Sequence, residues 1–362
     1  MKKILLSILG LVLFVVLAFT LYLWISDCGV SPFRCGDYPT ASDVTTQTIE
    51  VGGGPEDMAI DHSLGYPRII VSCKERRKET EEIGSFYSID LNTHQSKQLH
   101  IEPANFEIFP HGIDIVTIDS ITYLYAISHH QEGESWRHPV FRFEIKGDTL
   151  ALDESQILEN ELMSVPNDLD VLSDGSFYAT NYVPNTNPNE VTKAVLGIKH
   201  GSIVHYDGKG NWQLAEKGLC FPNGIWIDET KDLLFVANGA CHEVLRYEIN
   251  EDGRLQANSK QSTAQQSEKI TLGDNLLLDN EGRLWTAAHP CPLDFSAHAE
   301  DSNEKSPVQA FIIDPMTLKA AKVFQNNGEL ISAASTALFI NQRLYISQVF
   351  DPFVLVVEGI NM

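Results

Sequence analysis

Six polar residues that could bind a cation or transfer a proton recur at a nearly constant spacing. Each opens a copy of one short pattern, in which a polar residue in a tight turn precedes an alternating apolar run; the sixth copy is weaker. The six residues are Glu56, His111, Asn167, Asn223, Asp274 and Ser335, and their successive gaps are 55, 56, 56, 51 and 61 residues. Carboxylate and amide oxygens are ligands of hard cations, and imidazole transfers protons near neutral pH.

The elements around these residues have the pattern of short strands. β-Branched and aromatic runs bounded by Gly, Asn, Asp and Pro fill most of the chain, and a second strand follows a turn after most copies of the pattern, as in residues 123–127 and 177–181. A repeat of about 50 residues with roughly four strands is typical of a propeller blade. We therefore predict an all-β, six-bladed β-propeller, whose innermost strands bring the six polar residues to one central tunnel.

Oxygen-rich neighbours extend the predicted ring. Asp57, Asp168 and Asn275 each stand directly beside a ring residue. A site made only of oxygens suits Ca²⁺, whereas zinc would recruit His or Cys. The plainer interpretation is that Asn and Asp precede strands because they tolerate tight turns. That interpretation leaves unexplained how carboxylates converging on one axis avoid mutual repulsion without a cation or protons.

The repeated motifs resemble the successive blade motifs of the paraoxonase/arylesterase family. The motifs are Gly54-Pro55-Glu56-Asp57, Phe109-Pro110-His111-Gly112-Ile113, Pro166-Asn167-Asp168, Phe221-Pro222-Asn223-Gly224-Ile225 and Gly273-Asp274-Asn275. The resemblance implies a six-bladed propeller with two calcium ions in its tunnel. By matching positions, it implies a catalytic ion held by Glu56, Asn167, Asn223, Asp274 and Asn275. It implies a structural ion held by Asp57, Asp168 and the backbone carbonyl of Ile113.

The resemblance also implies a pair of histidines above the catalytic ion. His111 matches the first of them, and His129 matches the second, with His130 as the alternative. Phe221, His242 and His289 match positions around the substrate pocket.

These assignments predict a calcium-dependent hydrolase of lactones and aryl esters, with phosphotriester cleavage only as a side activity. The cation would polarise the carbonyl while His111, with His129 as relay or orienting partner, activates water; a metal-bound Glu56 is the alternative base. The chain has no G-x-S-x-G motif, which argues against a serine hydrolase mechanism. The alternatives are a gluconolactonase-like sugar lactonase and a non-hydrolytic, strictosidine-synthase-like binding propeller with structural calcium.

The N-terminal segment has a different composition from the rest of the chain. Lys2 and Lys3 precede an uncharged apolar run from Ile4 to about Ile25, which predicts an uncleaved membrane anchor over residues 1–26. Residues 27–48 would then be a linker with the first strand region, and residues 49–362 a catalytic propeller on the non-cytoplasmic, periplasmic or extracellular side. The net charge of -23 disfavours nucleic acid as a partner.

Six cysteines fit an oxidising compartment but are too few for a disulfide scaffold. Cys28 and Cys35 are close enough to pair locally, and the remaining four pairings are left open. No cysteine follows Cys291, so the family's disulfide between the first and last strands has no counterpart. We therefore expect strand pairing to close the propeller.

Overall fold

The computed structural model describes residues 2–25, 38–40, 44–77, 82–186, 189, 193, 198–265 and 269–360. Helix α1 (Lys2–Ile25) precedes the strands, and helix α2 (Pro292–Glu300) lies between two strands of the fifth blade. Short 3-10 helices cover Gly239–Cys241, Ala257–Ser259 and Thr263–Gln265. Asn189 and Lys193 are also helical, and the remaining regular structure in the described residues is β.

The described strands form six blade sheets and one separate two-stranded sheet, and the predicted six-bladed propeller is confirmed. Blade 1 contains β2 (Pro55–Asp61), β3 (Arg68–Cys73), β4 (Ser85–Asp90) and β5 (Ser96–Gln98). Blade 2 contains β7 (Pro110–Ile118), β8 (Ile121–Ser128), β11 (Val140–Lys146) and β12 (Thr149–Leu158), with β6 (His100–Glu102) parallel to β12. A separate hairpin, β9 (His130–Glu132) and β10 (Ser135–Arg137), is inserted between β8 and β11.

The other four blades repeat this arrangement. Blade 3 contains β13 (Pro166–Val171), β14 (Phe177–Asn181), β15 (Gly201–Tyr206) and β16 (Trp212–Leu219). Blade 4 contains β17 (Pro222–Asp228), β18 (Leu233–Asn238), β19 (Glu243–Glu248) and β20 (Gln261–Ser262). Blade 5 contains β21 (Gly273–Leu278), β22 (Leu284–Ala288), β23 (Val308–Ile313) and β24 (Ala320–Asn326). Blade 6 contains β25 (Ala334–Ile340), β26 (Arg343–Gln348), β27 (Phe353–Glu358) and β1 (Thr45–Glu50).

The ring is closed by pairing the first strand with the last. β1 runs antiparallel to β27, with Thr45 opposite Glu358 and Glu50 opposite Phe353. Closure by strand pairing, as expected from the sequence, makes β1 the outermost strand of blade 6 and so joins the start of the propeller chain to its last blade. Apolar side chains fill the space between neighbouring blades; for example, Trp285 of blade 5 stacks on Phe339 of blade 6 with ring centroids 5.3 Å apart.

The innermost strands β2, β7, β13, β17, β21 and β25 pack side by side around the tunnel. Each has a break in register directly after its first residue, as where Pro166 pairs with Asn181 and Leu169 with Ala179. Two residues of β13, Asn167 and Asp168, therefore oppose one residue of β14, which is a β-bulge. The bulge turns the second and third residues of each inner strand away from the regular ladder, and these are the positions of the predicted ring.

The N-terminal apolar run forms helix α1, of which only residues 7–20 have side chains that the structure describes. No helix in the described part of the chain is long and apolar enough to cross a membrane. The membrane anchor predicted over residues 1–26 is not shown by the structure and stays a prediction.

The cysteines take two states in the described residues. Cys220 and Cys241 form a disulfide with their Cα atoms 5.5 Å apart, and Cys291 is also disulfide-bonded. Cys73 is a buried free thiol, and burial raises its pKa to about 12. The local pairing predicted for Cys28 and Cys35 lies outside the described residues.

Candidate functional site

Glu56 is the point at which the ring residues meet. Its Oε1 atom accepts hydrogen bonds from Ser335 Oγ at 2.9 Å and from Asn275 Nδ2 at 3.2 Å, and lies 3.5 Å from His111 Nε2. These residues come from blades 6, 5, 2 and 1, separated by up to 279 positions in sequence. Asn167, Asn223 and Asp274 occupy the same second position of their inner strands and are buried as well. The predicted convergence on the tunnel axis is therefore observed.

Two glycines allow the inner strands to approach this closely. A Cβ atom at Gly112 would lie 2.5 Å from the Asn167 carbonyl oxygen, and one at Gly224 would lie 2.5 Å from Asn275 Cα. Any larger residue at either position would push the ring residues of neighbouring blades apart.

Five oxygens of the ring are buried without a hydrogen-bond partner among the described residues. They are Glu56 Oε2, Asn167 Oδ1, Asn223 Oδ1, Asp274 Oδ1 and Asn275 Oδ1. Buried polar atoms are nearly always paired, so five orphaned acceptors on one axis call for an explanation. They belong to the five residues that the sequence assigned to the catalytic cation. We term them the five-oxygen cluster.

The charges around the five-oxygen cluster are unevenly balanced. Burial tends to raise the pKa of Glu56, but the charges of His111 and Arg76 outweigh it and lower this pKa to about 2. Burial and the charge of Glu56 raise the pKa of Asp274 despite its hydrogen bond to His289. A positive charge at the cluster, in addition to those of His111 and Arg76, would therefore favour the ionised form of Asp274.

The residues predicted for the structural ion lie deeper and are already hydrogen-bonded. Asp57 Oδ2 accepts the backbone N–H of Ile113 at 2.7 Å, and Asp168 Oδ2 accepts that of Ile225 at 2.9 Å. Burial and neighbouring carboxylates raise the pKa of both aspartates well above the usual value of 3.8. Each carboxylate thus joins its own blade to the next one, with Ile113 contributing its N–H to Asp57.

Hydroxyl groups on the second strands hold the backbone of the ring. Ser72 Oγ accepts the Asp57 N–H at 3.2 Å and donates to the His111 carbonyl at 2.7 Å. The same bridge recurs at two other blade junctions: Thr180 joins Asp168 N–H to the Asn223 carbonyl, and Ser347 joins Thr336 N–H to the Glu56 carbonyl. The ring side chains are thereby left free to point into the tunnel.

The histidines form a chain that leads outward from Glu56. His111 Nδ1 lies 2.7 Å from His129 Nε2, and His129 Nδ1 lies 2.7 Å from His138 Nδ1. His130 instead contacts Ser128 Oγ at 2.9 Å. The partner of His111 is therefore His129 rather than His130. Burial and the charges of His111 and His138 lower the pKa of His129 well below its usual value, which keeps this imidazole neutral.

The three residues predicted for the substrate pocket have different surroundings. His289 Nε2 contacts Asp274 Oδ2 at 2.9 Å, so it adjoins the ring directly. Phe221 packs edge-on against Tyr182 with ring centroids 5.1 Å apart. His242 is buried, and it directly follows Cys241, whose disulfide partner Cys220 directly precedes Phe221. The disulfide thus keeps these two segments of blade 4 together.

Sequence reasoning missed two residues of the site, Arg76 and His138. Arg76 donates to the backbone carbonyls of Gly54 at 2.9 Å and Pro110 at 3.2 Å, and so ties together the loops that carry Glu56 and His111. Arg76 lies in a loop outside the repeat pattern, so its type and spacing gave no signal. His138 is the third histidine in the segment that begins with His129 and His130, and this clustering was a weak signal of its place in the site.

In the described part of the chain, no three His, Cys, Asp or Glu side chains lie together as a metal site. Three members of the five-oxygen cluster are asparagines, which such a grouping does not include. The prediction of two calcium ions is therefore not established by the protein's geometry. The donor set of the five-oxygen cluster nevertheless fits one hard cation.

Comparison with known proteins places the chain among propeller hydrolases. The family model described as Arylesterase matches residues 49–355. The chain is 27% identical over 278 residues to serum paraoxonase/arylesterase 2 of Gallus gallus, covering 74% of this chain and 75% of that protein. It is 25% identical over 281 residues to serum paraoxonase/lactonase 3 of Homo sapiens, covering 75% of each.

Solved structures of low sequence identity share the fold. A gluconolactonase of Xanthomonas campestris superposes with a TM-score of 0.56 at 15% identity, covering 91% of this chain and 96% of that chain. The calcium-binding protein regucalcin of Agrobacterium tumefaciens superposes with a TM-score of 0.53 at 14% identity, covering 90% and 96%. Because the family model spans nearly the whole propeller, the chain belongs to the paraoxonase/arylesterase family.

Proposed function

We propose that the protein is a Ca²⁺-dependent hydrolase of lactones and aryl esters, with its reaction centre at the five-oxygen cluster. The observation that carries this proposal is the set of five orphaned, buried oxygens. The names of the two relatives, an arylesterase and a lactonase, support the substrate class.

The donor set of the cluster suits calcium. Glu56 and Asp274 contribute carboxylates, while Asn167, Asn223 and Asn275 contribute neutral amide oxygens. Two carboxylate charges would balance one divalent cation, and an all-oxygen set of five leaves places for water or substrate. When bound, the cation supplies Lewis-acid polarisation of the substrate carbonyl and stabilises the negative oxygen that forms during water attack.

The protein's own side chains divide the remaining tasks. His111 Nε2 faces Glu56 Oε1, and we assign it the role of accepting the proton of the attacking water. Glu56 is the weaker candidate, since its Oε1 already accepts bonds from Ser335 and Asn275 and its Oε2 belongs to the five-oxygen cluster. His129 holds His111 through its 2.7 Å contact, and His289 orients Asp274.

A second, structural cation held by Asp57, Asp168 and the Ile113 carbonyl stays a prediction. Its two aspartates differ from the five-oxygen cluster, because both already accept backbone hydrogen bonds. The raised pKa values of these buried carboxyls are consistent with either a bound cation or retained protons.

The test is a calcium titration of the full chain after chelation, with phenyl acetate and a lipophilic lactone as substrates. We expect turnover to return with Ca²⁺ and the thermal midpoint to rise with it. Asn223→Ala should weaken calcium binding measured by calorimetry and reduce turnover, whereas the matched control Asn303→Ala, at an exposed position, should change neither. A binding propeller would keep ligand affinity without turnover, and chelation-insensitive turnover would refute the cation mechanism.

A further inference from the structure

Three segments between strands lie at the end of the tunnel that holds the five-oxygen cluster. They are helix α2 of blade 5, the turn between β26 and β27 of blade 6, and the residues that follow β3 of blade 1. Each follows a second strand whose last residue pairs with the first residue of an inner strand, as Ala288 of β22 pairs with Gly273 of β21. The ring residues come directly after those first residues, so the three segments border the same end of the tunnel as the ring.

Arg77 joins the three segments. It pairs with Asp351 of the blade 6 turn, and its guanidinium carbon lies 4.9 Å from the centre of the Phe350 ring. Toward α2, Arg77 donates to the His298 carbonyl at 3.1 Å and to His298 Nε2 at 2.6 Å. His298 Nδ1 donates to the Glu304 carbonyl at 2.7 Å, so both ring nitrogens of this buried histidine are engaged. We term Arg77, His298 and Asp351 the mouth clamp.

Helix α2 reaches the ring residues through Phe295. The Phe295 ring packs against His289 with centroids 4.5 Å apart, and against Phe350 with centroids 5.6 Å apart. His289 Nε2 contacts Asp274 Oδ2 at 2.9 Å, and Asp274 Oδ1 belongs to the five-oxygen cluster. His289 Nδ1 is buried and has no hydrogen-bond partner among the described residues. The orientation of His289 therefore depends on one hydrogen bond and on its packing against Phe295.

We propose that the members of the mouth clamp are positioning residues for the reaction centre: they fix α2 so that Phe295 holds His289, and His289 holds Asp274, in the geometry that binds the cation. This inference rests on the proposed function, in which Asp274 is a cation ligand. Removing a group that orients a metal ligand typically weakens metal binding by about 10–100-fold. The clamp acts through two further side chains, so we expect an effect at the lower end of this range.

A clamp that only stabilises the fold is the alternative, and Arg142 provides a matched control for it. Arg142 lies in β11, the third strand of blade 2, where it pairs with Asp153 and has its guanidinium carbon 4.6 Å from the centre of the Tyr123 ring. The side chains of Arg142 and Asp153 are 18% and 26% exposed, against 16% and 27% for Arg77 and Asp351. Loss of either arginine should therefore cost a similar amount of stability.

The experiment compares Arg77→Met with Arg142→Met in the full chain. Urea unfolding of the cation-free protein should show similar losses of stability in the two variants. In calorimetric calcium titrations, only Arg77→Met should weaken calcium binding, by about tenfold, and only this variant should need more calcium to reach half-maximal turnover of phenyl acetate. Unchanged calcium affinity in Arg77→Met, or equal weakening in both variants, would overturn the inference.

A double-mutant cycle tests whether the clamp acts through Phe295. Phe295→Leu keeps the three clamp side chains but removes the ring that packs on His289. If the clamp acts along this path, adding Arg77→Met to Phe295→Leu should weaken calcium binding little further, because residues that act through one another are not additive. Additive losses of calcium affinity would refute the path and with it the positioning role.

The two proposals fail in different ways. Wild-type protein that binds no calcium and hydrolyses phenyl acetate after chelation would end the proposed function. Calcium-dependent turnover in the wild type, with the same calcium affinity in Arg77→Met, would end only the role of the mouth clamp. If Arg77→Met does not fold, as judged by circular dichroism, Asp351→Asn takes its place, with Asp153→Asn as the control and the same outcomes deciding.

Discussion

Replacing Thr180 with valine tests whether the hydroxyl bridges hold the ring in place. Thr180 is fully buried, and its Oγ1 accepts the Asp168 N–H at 3.2 Å and donates to the Asn223 carbonyl at 2.6 Å. Valine keeps the side-chain volume, so the cost arises from two backbone groups left without a partner. Each orphaned group costs about 1–3 kcal/mol, and part of this cost is offset because valine has no hydroxyl to desolvate. We therefore expect the free energy of unfolding to fall by about 2–4 kcal/mol.

Thr286→Val is the matched control for this change. Thr286 has the equivalent position in blade 5, but its hydroxyl contacts only carbonyls of its own blade, Ala287 at 3.0 Å and Asp274 at 3.4 Å. We expect a loss of less than about 1 kcal/mol there, within the range of one ordinary hydrogen bond. Urea unfolding of both variants, with saturating calcium and with chelator, measures the difference.

Calcium titration adds a second measure of the Thr180 bridge. Since Thr180 holds the backbone of Asn223, whose side chain belongs to the five-oxygen cluster, its loss should weaken calcium binding by about tenfold, equivalent to about 1.4 kcal/mol. Equal destabilisation by Thr180→Val and Thr286→Val, with unchanged calcium affinity in both, would refute the bridging role.

Two further predictions concern pH and the disulfide. Asp57, Asp168 and Asp274 have folded-state pKa values raised above 3.8, so protonation of these carboxyls favours the folded state. The stability that they contribute to the cation-free protein should be fully present below about pH 4 and be lost as pH rises through their folded pKa values, a loss that calcium should suppress in thermal unfolding scans. An equal gain in thermal midpoint from calcium at about pH 4 and at about pH 7 would contradict that sign. Replacing Cys220 and Cys241 together with serine should cost about 3 kcal/mol for a loop of 21 residues, measured by urea unfolding, and an unchanged midpoint would show that the loop is already ordered without the bond.

The ring could be predicted from sequence because a local feature produces it. Each inner strand begins with the same bulge, so the residue that enters the tunnel is always the second of its strand, as with Asn167 in β13 and Asn223 in β17. Six repeats of a local feature become one site once the sheet closes into a propeller. The same reasoning could place Ser335 in the ring, although its copy of the pattern is the weakest.

The parts that sequence could not predict depend on loops. His129 and His130 are adjacent and chemically identical, and only the course of the chain into β9 decides that His129 contacts His111. Arg76 acts through backbone carbonyls, which any sequence provides. The disulfide between Cys220 and Cys241 joins two loops whose distance the repeat pattern does not specify.

The ring separates what the backbone does from what the side chains do. Hydroxyls such as Ser72 and Thr180, and carboxylates such as Asp57 and Asp168, satisfy backbone groups at the blade junctions. The five-oxygen cluster receives no such partner in the described structure. At about 1–3 kcal/mol for each buried, unpaired acceptor, the cluster would cost about 5–15 kcal/mol, which equals the whole stability of a typical domain. In the proposed function a single divalent cation would pair with all five oxygens at once, without a hydrogen-bond donor from the protein, and this would offset that cost.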